Sequence, residues 1–146
     1  MTLQDDLTDL GFKYGPMLHR AVIRISGGRL FNRLGGMPIV ELHTIGRKTG
    51  QPRVTTLSSP IVSDDRIVLV ASKGGDDRNP AWLLNLEASP EVEVTVAGQN
   101  RPMRARVASA EEKAELWPQV VAAYQGYEGY QKRTARDIPV VICEPR

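Results

Sequence analysis

Three cationic side chains, Arg47, Lys48 and Arg53, stand within seven residues of one another in a turn between two apolar runs. The glycine and proline residues of this stretch, which we call the basic turn (residues 45–53), predict a connection between two strands. A hairpin does not need three positive charges, and their mutual repulsion is unfavourable. The basic turn therefore indicates either a site for a negatively charged ligand or a solvated loop whose charge is incidental.

Two later stretches could belong to the same site. Residues 71–75 place a lysine and two glycines where a strand leaves the sheet, so exposed backbone amides could approach a phosphate or a flavin-like ring. Asn79 as a cap and Pro80 at the first position predict a helix, whose N-terminus favours an anion. The alternatives are a plain strand exit with a surface lysine, a core position for Trp82 and a surface amide for Asn85.

Three tyrosines, Tyr124, Tyr127 and Tyr130, recur at every third residue, with Gly126 and Gly129 between them. This spacing lines their hydroxyls along one side of a helical or 3₁₀ segment. Such a stripe usually serves packing, but the glycines would permit the motion of a pocket lid.

Other catalytic motifs are absent from the sequence. Its two histidines, His19 and His43, lie in no metal-ligand spacing with Cys143 or a carboxylate, and no Gly-x-Ser-x-Gly stretch accompanies them. The chain also lacks a Gly-x-Gly-x-x-Gly signature and a P-loop. We expect His43 to be structural and Cys143 to be a buried thiol. If the chain is an enzyme, its reactive atoms therefore belong to a cofactor, and no metal is expected.

The composition is that of one globular domain, with 146 residues of which 41% are hydrophobic and 25% charged. A net charge of +2 and few aromatic residues argue against a nucleic-acid partner. The longest apolar run, residues 67–71, is far too short to span a bilayer. Because no basic region and apolar core typical of a signal peptide open the chain, we expect a cytoplasmic protein.

The N-terminal part has a different charge pattern. Residues 12–36 contain five positive charges and no acidic residue, with apolar side chains at helical spacing. Such a helix usually covers a sheet, but it could also make a peripheral contact with an anionic membrane. We therefore divide the chain into a helical cover segment, residues 1–36, and a main domain, residues 37–146.

The main domain is predicted to be mostly β. Two adjacent strands flank the basic turn, and the turns 63–65 and 98–100 join further pairs, which favours an antiparallel, barrel-like sheet over a doubly wound α/β domain. A capping box at Ser109 and Glu112 predicts a helix to about Trp117, after which Pro118 can restart a helix through Tyr124. The six predicted strands are 39–45, 53–62, 66–72, 92–96, 101–108 and 138–143.

Several of these stretches, taken in order, resemble the deazaflavin-dependent nitroreductase family. The matching residues are 45–54, 71–75, 79–86, Trp117 with Pro118, the tyrosine series and 138–145, so that the resemblance covers about residues 38–145. It implies a single-domain split β-barrel, related to FMN-binding split barrels, that binds the 8-hydroxy-5-deazaflavin coenzyme F420. FMN is the less expected alternative. Members of the family reduce quinones, nitro compounds such as nitroimidazoles, or activated double bonds.

The resemblance also implies roles for individual residues. The phosphate and oligoglutamate side of the coenzyme would lie on Arg47, Lys48 and Thr49. The rest of the coenzyme would follow Arg53, Val54, Thr55, Thr56, Leu57 and Ser58, with its ring near Val70, Ala71, Ser72, Lys73 and Tyr127 and the site closed by Ala81, Trp82, Leu83, Leu84 and Asn85. The substrate pocket would include Ser58, Tyr124, Tyr127 and Tyr130.

The implied reaction is hydride transfer from C5 of the reduced deazaflavin to an electrophilic carbon of the substrate. A proton must then reach the product, and Tyr127, Tyr130, Ser72 or water could deliver it. Where the nitroreductase has a tyrosine beside the ring, this chain has Ser58, which implies a wider or more polar pocket. The alternative function is a carrier that binds deazaflavin, flavin or another small anion without turnover.

Overall fold

The structure is a computed structural model that describes residues 33–34 and 36–146. The basic helix predicted within residues 12–36 and nearly all of the cover segment lie outside the described residues. The described residues form eight strands, two more than predicted. They are β1 (Arg33–Leu34), β2 (Met37–Ile45), β3 (Pro52–Ser58), β4 (Ile61–Val62), β5 (Ile67–Val70), β6 (Glu91–Val96), β7 (Gln99–Val107) and β8 (Val140–Pro145).

The predicted antiparallel, barrel-like sheet is confirmed. The strand order is β1-β2-β6-β7-β8-β5-β4, and β3 pairs with β2. The basic turn joins β2 to β3, with Ile45 opposite Pro52 and Ile39 opposite Ser58. Because residues opposite each other in an antiparallel pair share a face, this register fixes which β3 side chains face the core.

The prediction of one continuous strand over residues 53–62 is wrong, because Ser59 and Pro60 separate β3 from β4. Pro60 has no N–H to donate to a ladder. The buried Ser59 hydroxyl lies 2.9 Å from the carbonyl oxygen of Ile61 and 2.6 Å from that of Val68. This side chain therefore replaces the backbone pairing that the proline interrupts.

Two other strand boundaries differ from the prediction. Strand β5 ends at Val70 rather than at residue 72, and a 3₁₀ turn, Lys73–Gly75, follows it. Strand β8 begins at Val140 rather than at residue 138, because Pro139 cannot donate to a ladder, although its carbonyl accepts the N–H of Ala71 (2.9 Å).

The turn predicted at residues 98–100 is displaced by one residue. Val96 lies opposite Gln99, so the connection is the two-residue turn Ala97-Gly98, with φ values of 50° and 81°. Positive φ at both positions matches the twist of the flanking strands. Gln99 and Asn100 consequently belong to β7.

The first helix, α1 (Ala81–Ala88), is not capped as predicted. Pro80 occupies the N-cap position without a side-chain cap, and the Asn79 side chain instead accepts a hydrogen bond from Arg136 Nη1 (3.1 Å). Its buried residues, which include Leu83 and Leu86, pack on the main core.

The second helix, α2 (Ala110–Ala123), confirms the predicted capping box at Ser109 and Glu112. The predicted break at Pro118 is wrong, since the helix continues through it. A proline inside a helix costs about 3 kcal/mol, and burial of Leu116 and Val120, on either side of Pro118, opposes this cost.

A third helix, α3 (Gly126–Arg133), carries Tyr127 and Tyr130 and confirms the helical alternative for the tyrosine segment. Tyr124 does not belong to it, because this residue is the C-cap of α2. No helix in the described part of the chain is long and apolar enough to cross a membrane.

Two apolar clusters flank the sheet near the predicted site. The main core joins Val40 and Leu42 of β2 to α1, and a second cluster contains Met37, Val70 and Tyr127. Residues of β2 therefore alternate between the side covered by α1 and the side covered by the tyrosine segment.

The expected structural positions of Cys143 and His43 fit the structure. Cys143 is buried in the main core, and burial raises the pKa of its thiol to about 12. His43 Nε2 lies 3.1 Å from Thr95 Oγ1 on the neighbouring strand.

Candidate functional site

The basic turn is a hairpin that is closed by its own backbone. The N–H of Gly46 donates to the carbonyl of Gln51, and the N–H of Gly50 donates to the carbonyl of Gly46, both at 2.8 Å. Gly50 adopts a φ of 71°, which glycine tolerates. The tip of the turn, with Arg47 and Lys48, is consequently presented to solvent on a defined backbone.

Asn85 of α1 docks this turn on the body of the protein. Its Oδ1 accepts hydrogen bonds from the backbone N–H (3.1 Å) and from Nη1 (3.0 Å) of Arg47. Asn85 is only 6% exposed, so the alternative of a surface amide is wrong. The amide instead orients the first cation of the turn.

The cations of the turn are not neutralised within the described part of the chain. There, Arg47, Lys48 and Arg53 form no ion pair with a carboxylate. By contrast, Arg106 contacts both Glu112 (2.8 Å) and Glu144 (3.0 Å). Arg106 is thus neutralised within the fold, whereas the cations of the basic turn remain available to an external anion.

Strand β3 continues from the turn and divides its side chains between the two faces of the sheet. Thr55 and Leu57 share the α1 face with the core residues of β2, and Leu57 packs on the main core. Thr56 and Ser58 lie on the opposite face. The β3 residues expected along the coenzyme therefore do not present their side chains to one surface.

Two buried hydroxyls beside this strand have no hydrogen-bond partner among the described residues: Thr44 Oγ1 of β2 and Thr56 Oγ1 of β3. A buried hydroxyl without a partner loses its hydration and gains nothing in return. Thr56 is one of the residues expected to contact the coenzyme, and its unused hydroxyl fits a polar ligand at that position.

The loop after β5 forms a second wall. Ser72 has right-handed helical dihedrals (φ −76°, ψ −36°), and Lys73 and Gly74 follow with φ values of 46° and 63°. A right-handed residue followed by a left-handed one turns successive N–H groups toward the same side, an arrangement that binds electronegative groups. Among the described residues, the N–H groups of Ser72 and Lys73 have no acceptor.

The three tyrosines form one cluster. Their ring centroids lie 5.3–6.2 Å apart, and the hydroxyls of Tyr124 and Tyr130 are 3.3 Å apart. The Tyr127 hydroxyl points elsewhere, because it donates to Met37 Sδ at 3.7 Å. Tyr124 and Tyr130 therefore present a more accessible hydroxyl pair than Tyr127, which is only 6% exposed.

Burial controls the ionisation of two of these tyrosines. It raises the pKa of Tyr130 to about 12, with a further contribution from Tyr124. It also raises the pKa of Tyr127 well above its usual range, and its two tyrosine neighbours act in the same direction. Both hydroxyls are accordingly protonated at neutral pH and can donate hydrogen bonds.

Gly126 sets the position of Tyr124. A Cβ atom at residue 126 would overlap two ring carbons of Tyr124, whereas one at Gly129 would meet nothing within 4 Å. The tyrosine ring thus occupies the space that the glycine leaves. Of the two glycines, only Gly126 has a neighbouring side chain that an added Cβ would displace.

The predicted site residues differ widely in exposure. The exposed ones are Arg47, Lys48, Thr49, Arg53, Val54, Ala81 and Tyr124. The half-buried ones are Thr55, Thr56, Leu57, Ser58, Lys73, Leu84 and Tyr130. The buried ones are Val70, Ala71, Ser72, Trp82, Leu83, Asn85 and Tyr127. Trp82, Leu83 and Ala71 belong to the main core, which agrees with the core alternative for Trp82.

Two residues near these walls were not predicted. Met37 accepts a hydrogen bond from the Tyr127 hydroxyl through its sulfur, and both residues belong to one apolar cluster with Val70. Arg136 contacts the loop after β5 through its guanidinium. Neither stands in a local motif, so only the long-range pairing reveals them. No group of three or more His, Cys, Asp or Glu side chains in the described residues could hold a metal.

Comparisons with known proteins identify the family and the fold. The model of the F420H(2)-dependent quinone reductase family matches residues 17–145. An F420H(2)-dependent quinone reductase of Mycobacterium tuberculosis is 41% identical over 134 residues, which are 88% of this chain and 89% of that relative.

Two solved structures share the fold. One is an F420-H2 dependent reductase, FDR-A, at 39% identity and a TM-score of 0.67, covering 73% of this chain and 94% of that one. The other is described as a domain-swapped dimer, at 34% identity and a TM-score of 0.69, covering 88% and 97%. The antiparallel sheet is a split β-barrel, as the resemblance implied. By sequence and by fold, this chain belongs to the F420H(2)-dependent quinone reductase family.

Proposed function

We propose that this chain reduces quinones with the reduced form of coenzyme F420. Membership of the family supports the reaction class. The observation that carries the proposal is the basic turn, whose cations have no carboxylate partner among the described residues although Asn85 holds Arg47 in place. A phosphodiester followed by several carboxylates is the kind of polyanion that such a cluster binds.

The residues of the two walls fit this coenzyme. When bound, reduced F420 supplies the hydride that the quinone accepts. Arg47 and Lys48 would hold its phosphate and acidic tail. Thr56 Oγ1, buried without a partner among the described residues, would form a hydrogen bond with one of its polar atoms, and the N–H groups of Ser72 and Lys73 would donate hydrogen bonds to others.

Helix α1 connects the two walls. Asn79, two residues before the helix, contacts Arg136, and Asn85, in its second turn, contacts Arg47. This arrangement suits a coenzyme that lies along α1 with its ring at one end and its acidic tail at the other. The proposed binding site is thus built on a rigid element.

Proton delivery to the product would come from the tyrosine cluster, Ser72 or water. Tyr130 is the tyrosine that the geometry favours, because its side chain is only half-buried and its hydroxyl lies beside that of the exposed Tyr124. The Tyr127 hydroxyl contacts Met37 and would have to rotate away from it before it could donate to a substrate. Tyr127 therefore serves better as part of the pocket wall.

The proposed substrate pocket lies between this cluster and the end of β3. Ser58 shares a face of the sheet with Ile39 and Met37, and Met37 contacts Tyr127. A serine leaves more room there than a tyrosine would. A planar quinone with few polar atoms suits the resulting space between aromatic rings better than a charged substrate does.

The direct test is to mix the protein with reduced F420 and menadione and to follow the return of the oxidised deazaflavin absorbance. We expect reoxidation well above the rate without protein. Binding of the coenzyme with no turnover of any quinone or enone would instead support the carrier alternative. Parallel titrations with F420, FMN and FAD would identify the cofactor, and we expect F420 to bind most tightly.

The membrane contact, which is the alternative to a cover helix for residues 12–36, is a separate hypothesis, and nearly all of this stretch lies outside the described part. It predicts that the full chain co-sediments with anionic liposomes and that removal of residues 1–32 abolishes this binding. Co-sedimentation that the deletion leaves unchanged would contradict it.

A further inference from the structure

Arg136, between α3 and β8, makes an unusual set of contacts with a single loop. Its Nε donates to the carbonyl of Asp76 (2.8 Å), and its Nη2 lies 3.1 Å and 3.0 Å from the carbonyls of Ala71 and Ser72. Its Nη1 donates to the Asn79 side chain (3.1 Å). All four acceptors belong to residues 71–79, which we call the ring loop.

The guanidinium forms these bonds without a carboxylate at hydrogen-bond distance among the described residues. The Asp76 carboxylate is occupied by Arg78, and Asp77 Oδ1 accepts the Thr134 hydroxyl (2.7 Å). Burial lowers the pKa of Arg136, and the charges of Asp76 and Asp77 oppose this effect. The positively charged guanidinium of Arg136 therefore fixes the orientation of the peptide groups whose carbonyls it contacts, and it does not neutralise a carboxylate.

The fixed carbonyls determine where the neighbouring N–H groups point. In a trans peptide the carbonyl and the following N–H point in opposite directions. Since Arg136 holds the carbonyls of Ala71 and Ser72, the N–H groups of Ser72 and Lys73 are turned away from it. These are the N–H groups that have no acceptor among the described residues.

The ring loop is held from a second direction as well. A Cβ atom at Gly75 would lie 3.0 Å from the Tyr130 carbonyl oxygen and 3.0 Å from Arg133 Cβ, so the loop packs closely against α3. Arg136 and Thr134, just beyond α3, therefore connect the tyrosine segment to the ring loop. A change at Arg136 would alter the loop without touching the basic turn.

We infer that Arg136 is a positioning residue, which orients the peptide groups of residues 71–73 so that their N–H groups face the coenzyme ring. This inference rests on the proposed function, because it takes the ring to lie at the ring loop. Arg136 does not contact the ring or the substrate. It acts through the carbonyls on the far side of the same peptides.

Hydrogen exchange tests, without any coenzyme, whether Arg136 orders the ring loop. The variant Arg136→Met should increase exchange of the Gly75 and Asp76 amides, which donate to the carbonyls of Ser72 and Lys73, by about tenfold or more. The amides of Leu69 and Val141 in the β5–β8 ladder should keep their protection. Unchanged protection of the loop, or equal loss in loop and ladder, would overturn the inference.

Enzyme kinetics test whether this ordering of the ring loop matters for turnover. In Arg136→Met, kcat for menadione should fall by about tenfold or more, as expected for a displaced ring, while the KM for reduced F420 changes by less than about threefold because the basic turn still holds the tail. Arg136→Lys should recover part of kcat, and millimolar guanidinium should partly rescue Arg136→Ala. Arg104→Met, at an exposed arginine of β7, is the matched control and should behave like the wild type.

The outcomes separate the two proposals. An unchanged kcat in Arg136→Met, despite loss of protection in the ring loop, would overturn the positioning role. So would a fall in kcat that neither Arg136→Lys nor guanidinium restores and that matches the fraction of unfolded protein. Absence of deazaflavin binding or turnover in the wild type would instead overturn the proposed function. In that case the exchange data would still decide whether Arg136 orients the loop.

Discussion

The side-chain oxygen of Asn85 accepts two hydrogen bonds from Arg47, one from its backbone N–H and one from its guanidinium. A buried residue of α1 thus sets the direction of a cation in a hairpin 38 residues away. The contact connects the helix that covers the main core to the proposed coenzyme site, and it makes Asn85 a positioning residue whose removal should weaken binding.

Replacement of Asn85 tests this contact. Asn85→Leu keeps the volume but removes the acceptor, so Arg47 loses its orientation. We expect coenzyme affinity to fall by about 1–2 kcal/mol, somewhat less than the roughly 1.5–3 kcal/mol of a hydrogen bond to a charged group, because Arg47 is displaced but not removed. Titration of F420 absorbance or fluorescence measures the change. Asn100→Leu, at an exposed asparagine of β7, is the control; an equal effect of both variants would contradict the account.

Removal of two charges from the basic turn should have a larger effect. Arg47→Ala combined with Lys48→Ala should weaken F420 binding by roughly 2–4 kcal/mol, and the loss should shrink in high salt because the contacts are partly screened. Arg104→Ala with Lys132→Ala changes the net charge by the same amount at exposed positions and should leave affinity almost unchanged. Similar losses in the two double variants would show that only net charge matters.

Gly126 and Gly129 provide a matched pair of variants. Gly126→Ala forces the Tyr124 ring out of its position and should raise the KM for menadione by roughly threefold to tenfold, in line with the 0.5–1.5 kcal/mol of an aromatic pair. Gly129→Ala meets open space inside a helix and should stabilise the fold by up to about 1 kcal/mol with no change in KM. An unchanged KM in Gly126→Ala would remove Tyr124 from the substrate pocket.

Cys143 makes stability depend on pH in the alkaline range. Burial raises its pKa from 9.0 to about 12 in the folded chain, so the unfolded chain loses this proton first. Its stabilising contribution is complete below pH 9 and is lost as the pH rises toward 12, with a slope of up to about 1.4 kcal/mol per pH unit. Urea unfolding of Cys143→Ala should show a shallower decline than the wild type above pH 9; parallel declines would contradict this.

Features that depend on neighbouring residues were predictable from the sequence. The capping box at Ser109 and Glu112 spans one helical turn, and the basic turn lies between strands whose alternation is visible locally. The same local evidence misled at Pro118, where burial of Leu116 and Val120 favours helix continuity over the local cost of proline.

Contacts between distant residues were not predictable in this way. Asn85 looks like a surface amide until α1 is placed beside the basic turn, and Arg136 is an isolated arginine until β8 brings it under the ring loop. Likewise, alternation along β3 determines the face of Thr56, but its lack of a partner depends on the packing around it. These residues define the site most sharply, because tertiary structure creates their environments.

The most direct test of the central claim is a binding cycle that varies both the ligand tail and the basic turn. F420 and a deazaflavin without the phosphate and glutamate tail are titrated into the wild type and into the Arg47→Ala, Lys48→Ala variant. We predict that the tail strengthens binding to the wild type by roughly 2–4 kcal/mol and that this advantage nearly disappears in the variant. An equal tail contribution in both proteins would contradict the account, since the acidic tail would then lie away from the basic turn.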